Sequence, residues 1–240
     1  MSQSLNSASF NPLVNLKFDI DRDGFAILPN CLDQDTVERL RADLPETRGP
    51  DRKILALSSV RALASSRSVR EIVEKILGPE CFTVRGIFFD KTRQSNWKVV
   101  WHQDVTIAVR EQRPANGFGT WTTKGGIWHV QPPPQIMEGM LAIRLHLDES
   151  DRDNGPLRVL AGTHRNCRLS AVEIAAFAKN DCVTCTVPEG GALLMRPLLL
   201  HASSACVVNK PRRVIHLEFA AEELSHGLHW YHAIVRKSTR

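Results

Sequence analysis

The sequence lacks any apolar run that approaches the about 20 residues of a membrane-spanning helix. It also lacks an N-terminal hydrophobic stretch, so we expect neither a signal peptide nor an anchor and a cytoplasmic location by default. Its basic residues are dispersed and form no stripe interleaved with stacking aromatics, although the formal net charge is +5. This absence argues against nucleic-acid binding. The positive sign suits a carboxylate or phosphate on a small substrate equally well.

Cysteines are present but follow no regular framework; they occupy positions 31, 81, 167, 182, 185 and 206. In a cytosolic chain we expect them to be reduced thiols. Cys182 and Cys185 form a lone C-x-x-C in a strand-like run. Without a second pair, we interpret this motif as structural rather than as a zinc site or redox couple.

Composition favours one domain with a sizeable core, because 42% of the 240 residues are hydrophobic. We expect the domain to span residues 1–240, with about 1–17 as a flexible arm. Residues 24–29 predict a first strand. A helix capped by Asp33 or Asp35 and a second helix from Ser68 to Leu77, ended by Gly78 and Pro79, should follow and pack outside the larger sheet.

The remainder of the chain is dominated by predicted strands with few helices between them. They are expected near Phe82–Lys91, Val99–Asp104, Leu141–Leu147, Leu157–Leu160, Val183–Val187, Ala192–Arg196, Leu200–Ala205 and Arg213–Ala220. This order favours a jelly roll over a doubly wound sheet. The predicted fold is therefore mainly β, a double-stranded β-helix with flanking N-terminal α-helices.

The most informative motif is the run from Trp101 to Asp104, which contains His102 and Asp104 at i and i+2. β-Branched neighbours indicate an extended segment, in which these two side chains point to the same face. A His-x-Asp alone is a weak signal, because ordinary hydrogen bonding produces many. His201, at the end of an apolar run, completes a set of two histidines and one carboxylate, the facial triad typical of non-heme Fe(II) oxygenases.

Arg212 follows His201 after a short polar turn and precedes an alternating run. We therefore place the two residues on neighbouring antiparallel strands, roughly 10–15 Å apart. That gap suits a small dicarboxylate that chelates the metal at one end and contacts a guanidinium at the other. Arg213 is the competing candidate, but strand parity puts Arg212 on the polar face, with His216 and Glu218.

These motifs, together with the run from Asn154 to Arg165, resemble the phytanoyl-CoA dioxygenase-like family of 2-oxoglutarate-dependent oxygenases, from about Asp21 to about Phe219. The resemblance implies a jelly roll with Fe(II) held by His102, Asp104 and His201. It also assigns the distal carboxylate of 2-oxoglutarate to Arg212, placed eleven residues after the distal histidine as in the family. Ser203 is similar to a family position near the co-substrate.

The activity that this resemblance implies is oxidative decarboxylation of 2-oxoglutarate to succinate and CO₂, coupled to hydroxylation of an unactivated C–H of a small organic substrate by dioxygen. Halogenating relatives replace the carboxylate ligand, and Asp104 is present here, so hydroxylation is favoured. Desaturation and ring closure share the same chemistry. Two alternatives are a metal-dependent cupin enzyme that does not use 2-oxoglutarate and a non-catalytic jelly-roll binding protein; Arg212 discriminates against the first. The sequence carries neither an acyl-CoA signature nor the extended motif of ectoine hydroxylases.

The segment between Val109 and Met140 shows the least regular pattern and is rich in glycine and proline. Long loops without secondary structure are uncommon unless they are functional. We interpret the segment as a substrate-binding lid, with a passive surface loop as the alternative. Its candidate substrate residues are Trp121, Trp128 and Gln131.

Other polar residues have two interpretations each. Arg85 and Lys91 share a face of the first core strand, where they would hold 2-oxoglutarate or a substrate acid, or would form a solvated pair at the rim. Arg144 and His146 also share a face, which internal hydrogen bonding explains as readily as a site. We expect two sets of histidines to be structural rather than metal ligands: His164, and the C-terminal His226, His229 and His232.

Overall fold

The computed structural model describes residues 15–47, 49–91, 96, 98–208 and 210–234. The helices are α1 (Leu16–Asp23), α2 (Gln34–Asp43), α3 (Ser58–Ala64), α4 (Arg67–Leu77), α5 (Pro134–Glu138) and α6 (Ala171–Phe177). The strands are β1 (Phe25–Leu28), β2 (Phe82–Lys91), β3 (Val99–His102), β4 (Ile107–Val109), β5 (Gly119–Lys124), β6 (Ile127–Gln131), β7 (Met140–His146), β8 (Leu157–Val159), β9 (Val183–Cys185), β10 (Ala192–Met195), β11 (His201–Ser203) and β12 (Arg212–Ala220). Short 3-10 turns lie at Ile54–Ala56 and Thr163–Asn166.

The strands form three antiparallel sheets. The major sheet has the order β1-β10-β7-β12-β2, and the minor sheet has the order β3-β11-β8-β9. A third sheet, β4-β6-β5, lies beside them. Non-consecutive strands pair in both larger sheets, as in a double-stranded β-helix, which confirms the predicted jelly-roll fold.

The major sheet has two chemically different faces, and β12 shows both. Ile215, Leu217 and Phe219 are buried in the largest hydrophobic cluster. The helices α1, α2, α3 and α4 cover that face and contribute buried residues such as Ile20 and Val73 to the same cluster. This arrangement confirms that the N-terminal helices pack outside the larger sheet. The other face of β12 is left for polar side chains.

The helix ends follow local capping chemistry. Asp33, rather than Asp35, caps α2, because its carboxylate accepts a hydrogen bond from the Thr36 backbone N–H at 2.7 Å. Gly78 ends α4 with φ +90, a conformation that favours glycine. The flexible arm expected over about residues 1–17 stays a prediction; within that range, α1 begins at Leu16, whose side chain is buried. Residues 1–14 lie outside the described residues.

The predicted irregular segment from 109 to 140 instead contains two strands, β5 and β6, and the short helix α5, so the expectation of a long loop without secondary structure is wrong. β5 and β6 form a hairpin in which Lys124 pairs with Ile127. The two residues between them, Gly125 and Gly126, have φ +62 and +78, the left-handed values that a tight two-residue hairpin turn requires. The glycine pair that suggested a loop therefore makes a turn between strands.

A second correction concerns the strands of His201 and Arg212. They are not neighbours: β11 belongs to the minor sheet and β12 to the major sheet. The chain crosses from one sheet to the other between them, so the two residues meet across the interior rather than along one sheet.

Among the described residues, no helix is both long and apolar enough to cross a membrane.

Candidate metal centre

Three ligand-type side chains converge at one edge of the minor sheet. His102 and His201 are directly opposite each other on β3 and β11. Nε2 of His102 lies 3.9 Å from Oδ1 of Asp104, and Nε2 of His201 lies 3.8 Å from Oδ2. All three ligand atoms lie within 4.8 Å of one another, the only such group among the described residues. A divalent ion bonded at about 2.0–2.2 Å would require only small side-chain adjustments.

Both imidazoles are oriented by the backbone in the same way. Nδ1 of His102 lies 2.9 Å from the carbonyl oxygen of Val100, and Nδ1 of His201 lies 2.8 Å from that of Leu199. Because a carbonyl can only accept, Nδ1 donates in each ring and Nε2 keeps its lone pair for a metal. Each hydrogen bond thus fixes the tautomer that a ligand needs.

The protonation of the group suits a divalent cation. Burial lowers the pKa of His201 to about 4, so the ring is neutral at neutral pH. Burial by itself raises the pKa of Asp104, but the electrostatic effects of His201, His102 and other nearby basic groups outweigh it and lower the pKa to about 2. A neutral imidazole beside an ionised carboxylate is the form that binds metal.

Gln103 lies between His102 and Asp104 in the sequence, and its side chain anchors this segment to neighbouring backbone groups. Its Nε2 donates to the carbonyls of Cys167 (2.8 Å) and Leu198 (2.7 Å), and its Oε1 accepts from the Leu169 backbone N–H at 2.8 Å. The strand itself ends at His102, two residues short of the predicted end at Asp104. Gln103 therefore holds the segment that carries Asp104 after the strand has ended.

The metal ligands open into a cavity of about 110 Å³ between the two larger sheets. The minor sheet contributes Val99, His102, Leu157, His201 and Ser203, and Asp104 lies beside them. The major sheet contributes Arg85, Ile87 and Phe89 from β2, Arg144 from β7, and Arg212, His216 and Glu218 from β12. The wall opposite the ligands is thus strongly basic.

Arg212 lies in this cavity without an acidic partner. Its side chain is 4% exposed, and its Nε and Nη1 have no hydrogen-bond partner among the described residues. Burial lowers its pKa to about 10, which leaves it charged at neutral pH. Arg213 points the other way and pairs with Asp148 at 2.8 Å. The parity argument that preferred Arg212 is therefore consistent with the geometry.

Lys91 pairs with Arg212 across the strands and is fully buried. Its Nζ donates to the carbonyl of Ser204, and burial, followed by the charge of Arg212, lowers its pKa to about 8. Gly155 permits this approach, because a Cβ there would lie 2.9 Å from Nζ of Lys91 and 2.6 Å from the Ser204 oxygen. Lys91 is therefore not a solvated rim residue.

Four side chains form a hydrogen-bonded row along the basic wall. Nη1 of Arg85 donates to Oε1 of Glu218 at 3.1 Å, and the same oxygen lies 3.1 Å from Nε2 of His216. Nδ1 of His216 lies 3.2 Å from Nη1 of Arg144. Because Arg144 can only donate, Nδ1 of His216 accepts its hydrogen bond. Nε2 of His216 then carries the proton and donates to Glu218. Glu218 is thereby committed to two partners, and neither Arg144 nor Arg212 forms an ion pair with a carboxylate in the described part of the chain.

The remaining predicted residues lie in different places. Ser203 lines the cavity. Trp121 and Trp128 are half-buried against a hydrophobic cluster centred on Val130, and neither lines the cavity. Gln131 accepts a hydrogen bond from Arg168 at 2.8 Å. The role of these last three in substrate binding stays a prediction.

The structure also locates residues that the motifs did not assign to the site. Arg144, His216 and Glu218 become wall residues only because β7 pairs with β12, with His216 opposite Arg144. The alternation of β12 signalled the last two, whereas the register of β7 is not readable from its own sequence. The two cysteines of the C-x-x-C lie outside the cavity, and burial raises the pKa of Cys185 to about 12.

Solved structures with the same fold include three related enzymes. EctD from S. alaskensis with 2-oxoglutarate and 5-hydroxyectoine is 21% identical, with a TM-score of 0.65 over 92% of this chain and 79% of that chain. The carbocyclase SnoK from nogalamycin biosynthesis is 10% identical, with a TM-score of 0.68 over 92% and 88%. The epimerase SnoN in complex with Fe3+, alpha ketoglutarate and nogalamycin RO is 14% identical, with a TM-score of 0.66 over 94% and 95%.

A search of the curated proteins found no match. The solved structures, at these low identities, show a shared fold. The sequence itself, however, matches the family described as phytanoyl-CoA dioxygenase (PhyH) over residues 20–214. That range includes His102, Asp104, His201 and Arg212. The chain therefore belongs to the phytanoyl-CoA dioxygenase (PhyH) family.

Proposed function

We propose that this protein is an Fe(II)- and 2-oxoglutarate-dependent dioxygenase that hydroxylates an unactivated C–H of a small organic substrate. The observation that carries the proposal is the presence, in one cavity, of a facial metal-ligand set and of a buried arginine whose Nε and Nη1 have no hydrogen-bond partner among the described residues. A metal site alone would suit many cupin enzymes. A metal site that faces an uncompensated guanidinium calls for an acid that reaches both.

The residues fit iron and its co-substrate in chemical terms. His102, Asp104 and His201 would hold the metal through two Nε2 atoms and a carboxylate, and Arg212 would bind the distal carboxylate of 2-oxoglutarate. Ser203 lines the same cavity, and Lys91 is opposite Arg212 on β2. When bound, iron and 2-oxoglutarate supply dioxygen activation, with release of succinate and CO₂.

The protein itself contributes position and exclusion. The backbone carbonyls of Val100 and Leu199 keep both ligand rings in one tautomer. The apolar side chains of Val99, Phe89 and Leu157 line the cavity and limit the water that can enter it. The chain's residues therefore orient the oxo acid and reduce the access of competing reactants to the metal.

The carboxylate ligand argues for oxygen transfer over halide transfer, because Asp104 occupies the metal position that a halide would need. Solved neighbours described as an epimerase and a carbocyclase show that this fold serves other outcomes as well. Hydroxylation is proposed here because it needs no further catalytic residue beyond the metal set. The basic cavity wall favours a substrate that carries a carboxylate or phosphate.

The test is a succinate-release assay with purified, Fe(II)-loaded protein, 2-oxoglutarate and fractions of a metabolite extract. The proposal expects succinate in a 2-oxoglutarate-dependent manner, stimulated by one fraction whose component gains one oxygen atom by mass. His201→Ala should lose this activity, whereas His164→Ala, outside the cavity, should keep it. Oxygen consumption that proceeds equally without 2-oxoglutarate would favour a cupin enzyme of another type.

A further inference from the structure

Arg144 is a second buried guanidinium in the cavity, and no carboxylate among the described residues pairs with it. Its side chain is 7% exposed, and its Nε has no hydrogen-bond partner among the described residues. Its Nη1 donates to a neutral ring nitrogen of His216, at 3.2 Å, rather than to a carboxylate. Unpaired buried charges are costly, so such a residue is expected to have an anionic ligand.

The position of Arg144 follows from strand register. On the inward face of the major sheet, Lys91 is opposite Arg212, Phe89 is opposite Val214, and Ile87 is opposite His216. The row of Phe89 and Val214 therefore lies between the row of Arg212 and the row of His216. Adjacent rows on one face are two residues apart, about 7 Å along the strand.

The Arg144 side chain reaches this middle row. It starts on β7, opposite His216, and its guanidinium carbon lies 4.9 Å from the ring centroid of Phe89 on β2. Since β12 separates β7 from β2, the side chain crosses over β12. The guanidinium thus lies over the row of Phe89, between the row of Arg212 and the row of His216.

Electrostatic coupling agrees with this placement. Burial, and then the charge of Arg212, lowers the pKa of Arg144 to about 9, while Asp104 acts in the opposite direction. Arg144 is therefore close enough to interact with both ends of the path that joins Arg212 to the metal ligands.

We propose that Arg144 is a second co-substrate-binding residue, which donates a hydrogen bond to the oxo acid held between Arg212 and the metal ligands. This inference rests on the proposed function. The two arginines carry two positive charges, which match the two negative charges of the acid, and the donor left on Nε of Arg144 gains an acceptor when the acid is bound. Arg144 then sets affinity and orientation for the acid, not merely the shape of the wall.

The experiment is an anaerobic titration of the Fe(II)-loaded protein with 2-oxoglutarate, followed by the visible charge-transfer absorption of an oxo acid chelated to Fe(II). Arg144→Met should weaken binding roughly tenfold or more, as expected for a lost charge-assisted contact. Arg213→Met is the matched control and should bind like the natural protein, because Arg213 pairs with Asp148 on the far side of the strand. Arg144→Gln provides a second neutral variant in case the methionine variant does not fold.

A parallel titration with 2-oxobutyrate, which lacks the distal carboxylate, identifies the contacted end. An equal loss for both acids places Arg144 on the carboxylate beside the keto group, whereas a loss for 2-oxoglutarate alone places it on the distal one; either supports the proposal. Binding of 2-oxoglutarate within twofold of the natural protein in both Arg144 variants would overturn it and leave Arg144 to the primary substrate. If the natural protein itself shows no absorption change, the proposed function fails instead.

Thermal melting of the metal-free proteins provides an independent readout. Because Arg144 is a buried cation without a counterion among the described residues, Arg144→Met should melt at an equal or higher temperature than the natural protein. A residue that served only to support the wall would instead lower the melting temperature when removed. Weaker acid binding together with an undiminished melting temperature is the signature of a ligand-binding role.

Discussion

Replacing either of two adjacent arginines should separate ligand binding from folding. Arg212 and Arg213 are consecutive on β12, yet they face opposite sides of the major sheet. Arg212 lies in the cavity, and none of the acidic residues that the structure describes pairs with it. Arg213 is bound to Asp148 by its backbone N–H, its Nε and its Nη2, each at 2.8 Å. We consider methionine at each position, since it preserves most of the volume and removes only the charge and the donors.

The two substitutions should change different quantities: one the free energy of unfolding and the other the co-substrate affinity. Arg213→Met removes a two-pronged contact to a mostly buried carboxylate, and the free energy of unfolding should fall by about 1–3 kcal/mol. Asp148 keeps Arg41, at 3.0 Å, which limits the loss. Arg212→Met breaks no ion pair among the described residues, so stability should change little. Its co-substrate affinity should fall by about 2–4 kcal/mol, or roughly 30- to 1,000-fold.

The assay combines chemical denaturation of the metal-free variants with 2-oxoglutarate titration of the Fe(II)-loaded ones. The reasoning requires a crossed result, in which each variant fails one measurement and passes the other. Should Arg213→Met lose 2-oxoglutarate affinity while Arg212→Met keeps it, the assignment of the two faces of β12 would be refuted. Should both lose both, the two arginines would belong to one structural unit and the co-substrate argument would lose its basis.

Three further predictions concern the metal group, Lys91 and the third sheet. Gln103→Ala should lower Fe(II) affinity and reduce stability by about 1–3 kcal/mol, because three hydrogen bonds that hold Asp104's segment are lost; equilibrium metal titration and denaturation measure the two effects. The pKa of Lys91 is lowered to about 8 in the folded protein, so the unfolded chain binds more protons between about pH 8 and 10.5. As the pH rises through that window, the free energy of unfolding of the natural protein should therefore increase relative to that of Lys91→Met. A difference between the two proteins that does not depend on pH would contradict this prediction. Trp128→Ala should reduce the ratio of product to succinate more than it reduces the melting temperature if the third sheet acts as a lid, and a loss of melting temperature alone would indicate packing only.

Much of the architecture could be predicted because strand alternation is a local property. The bounds of β2 agree with the prediction at both ends, and the two faces of β12 follow from its alternating residues. The relation between His201 and Arg212 could not be predicted in this way. A chain that crosses between sheets and a chain that turns back within one sheet both need a short polar connection, and only non-local pairing distinguishes them.

The candidate site likewise contains residues that the sequence alone identifies and one that depends on non-local strand pairing. His102, Asp104 and His201 were identifiable because their residue types and order are unusual, and Arg212 because its position matches a family motif. Arg144 carries no such signal. Its place in the cavity depends on the register of β7 against β12 and on a side chain that extends across a whole strand. Predicted substrate residues in the glycine-rich segment rested on the absence of a pattern, which is weak support for any specific contact.

His102 and His201 pair directly across β3 and β11, at the edge of the minor sheet.

 β3 is a four-residue edge strand whose neighbour in the sheet is β11. An ion bound by both histidines would cross-link β3 and β11, which are distant along the chain. Because such an ion would bind the folded state only, it would stabilise the pairing of these two strands. Removal of the ion should therefore loosen the edge first, exposing the backbone of Val99–His102 to proteases and to pairing with other chains.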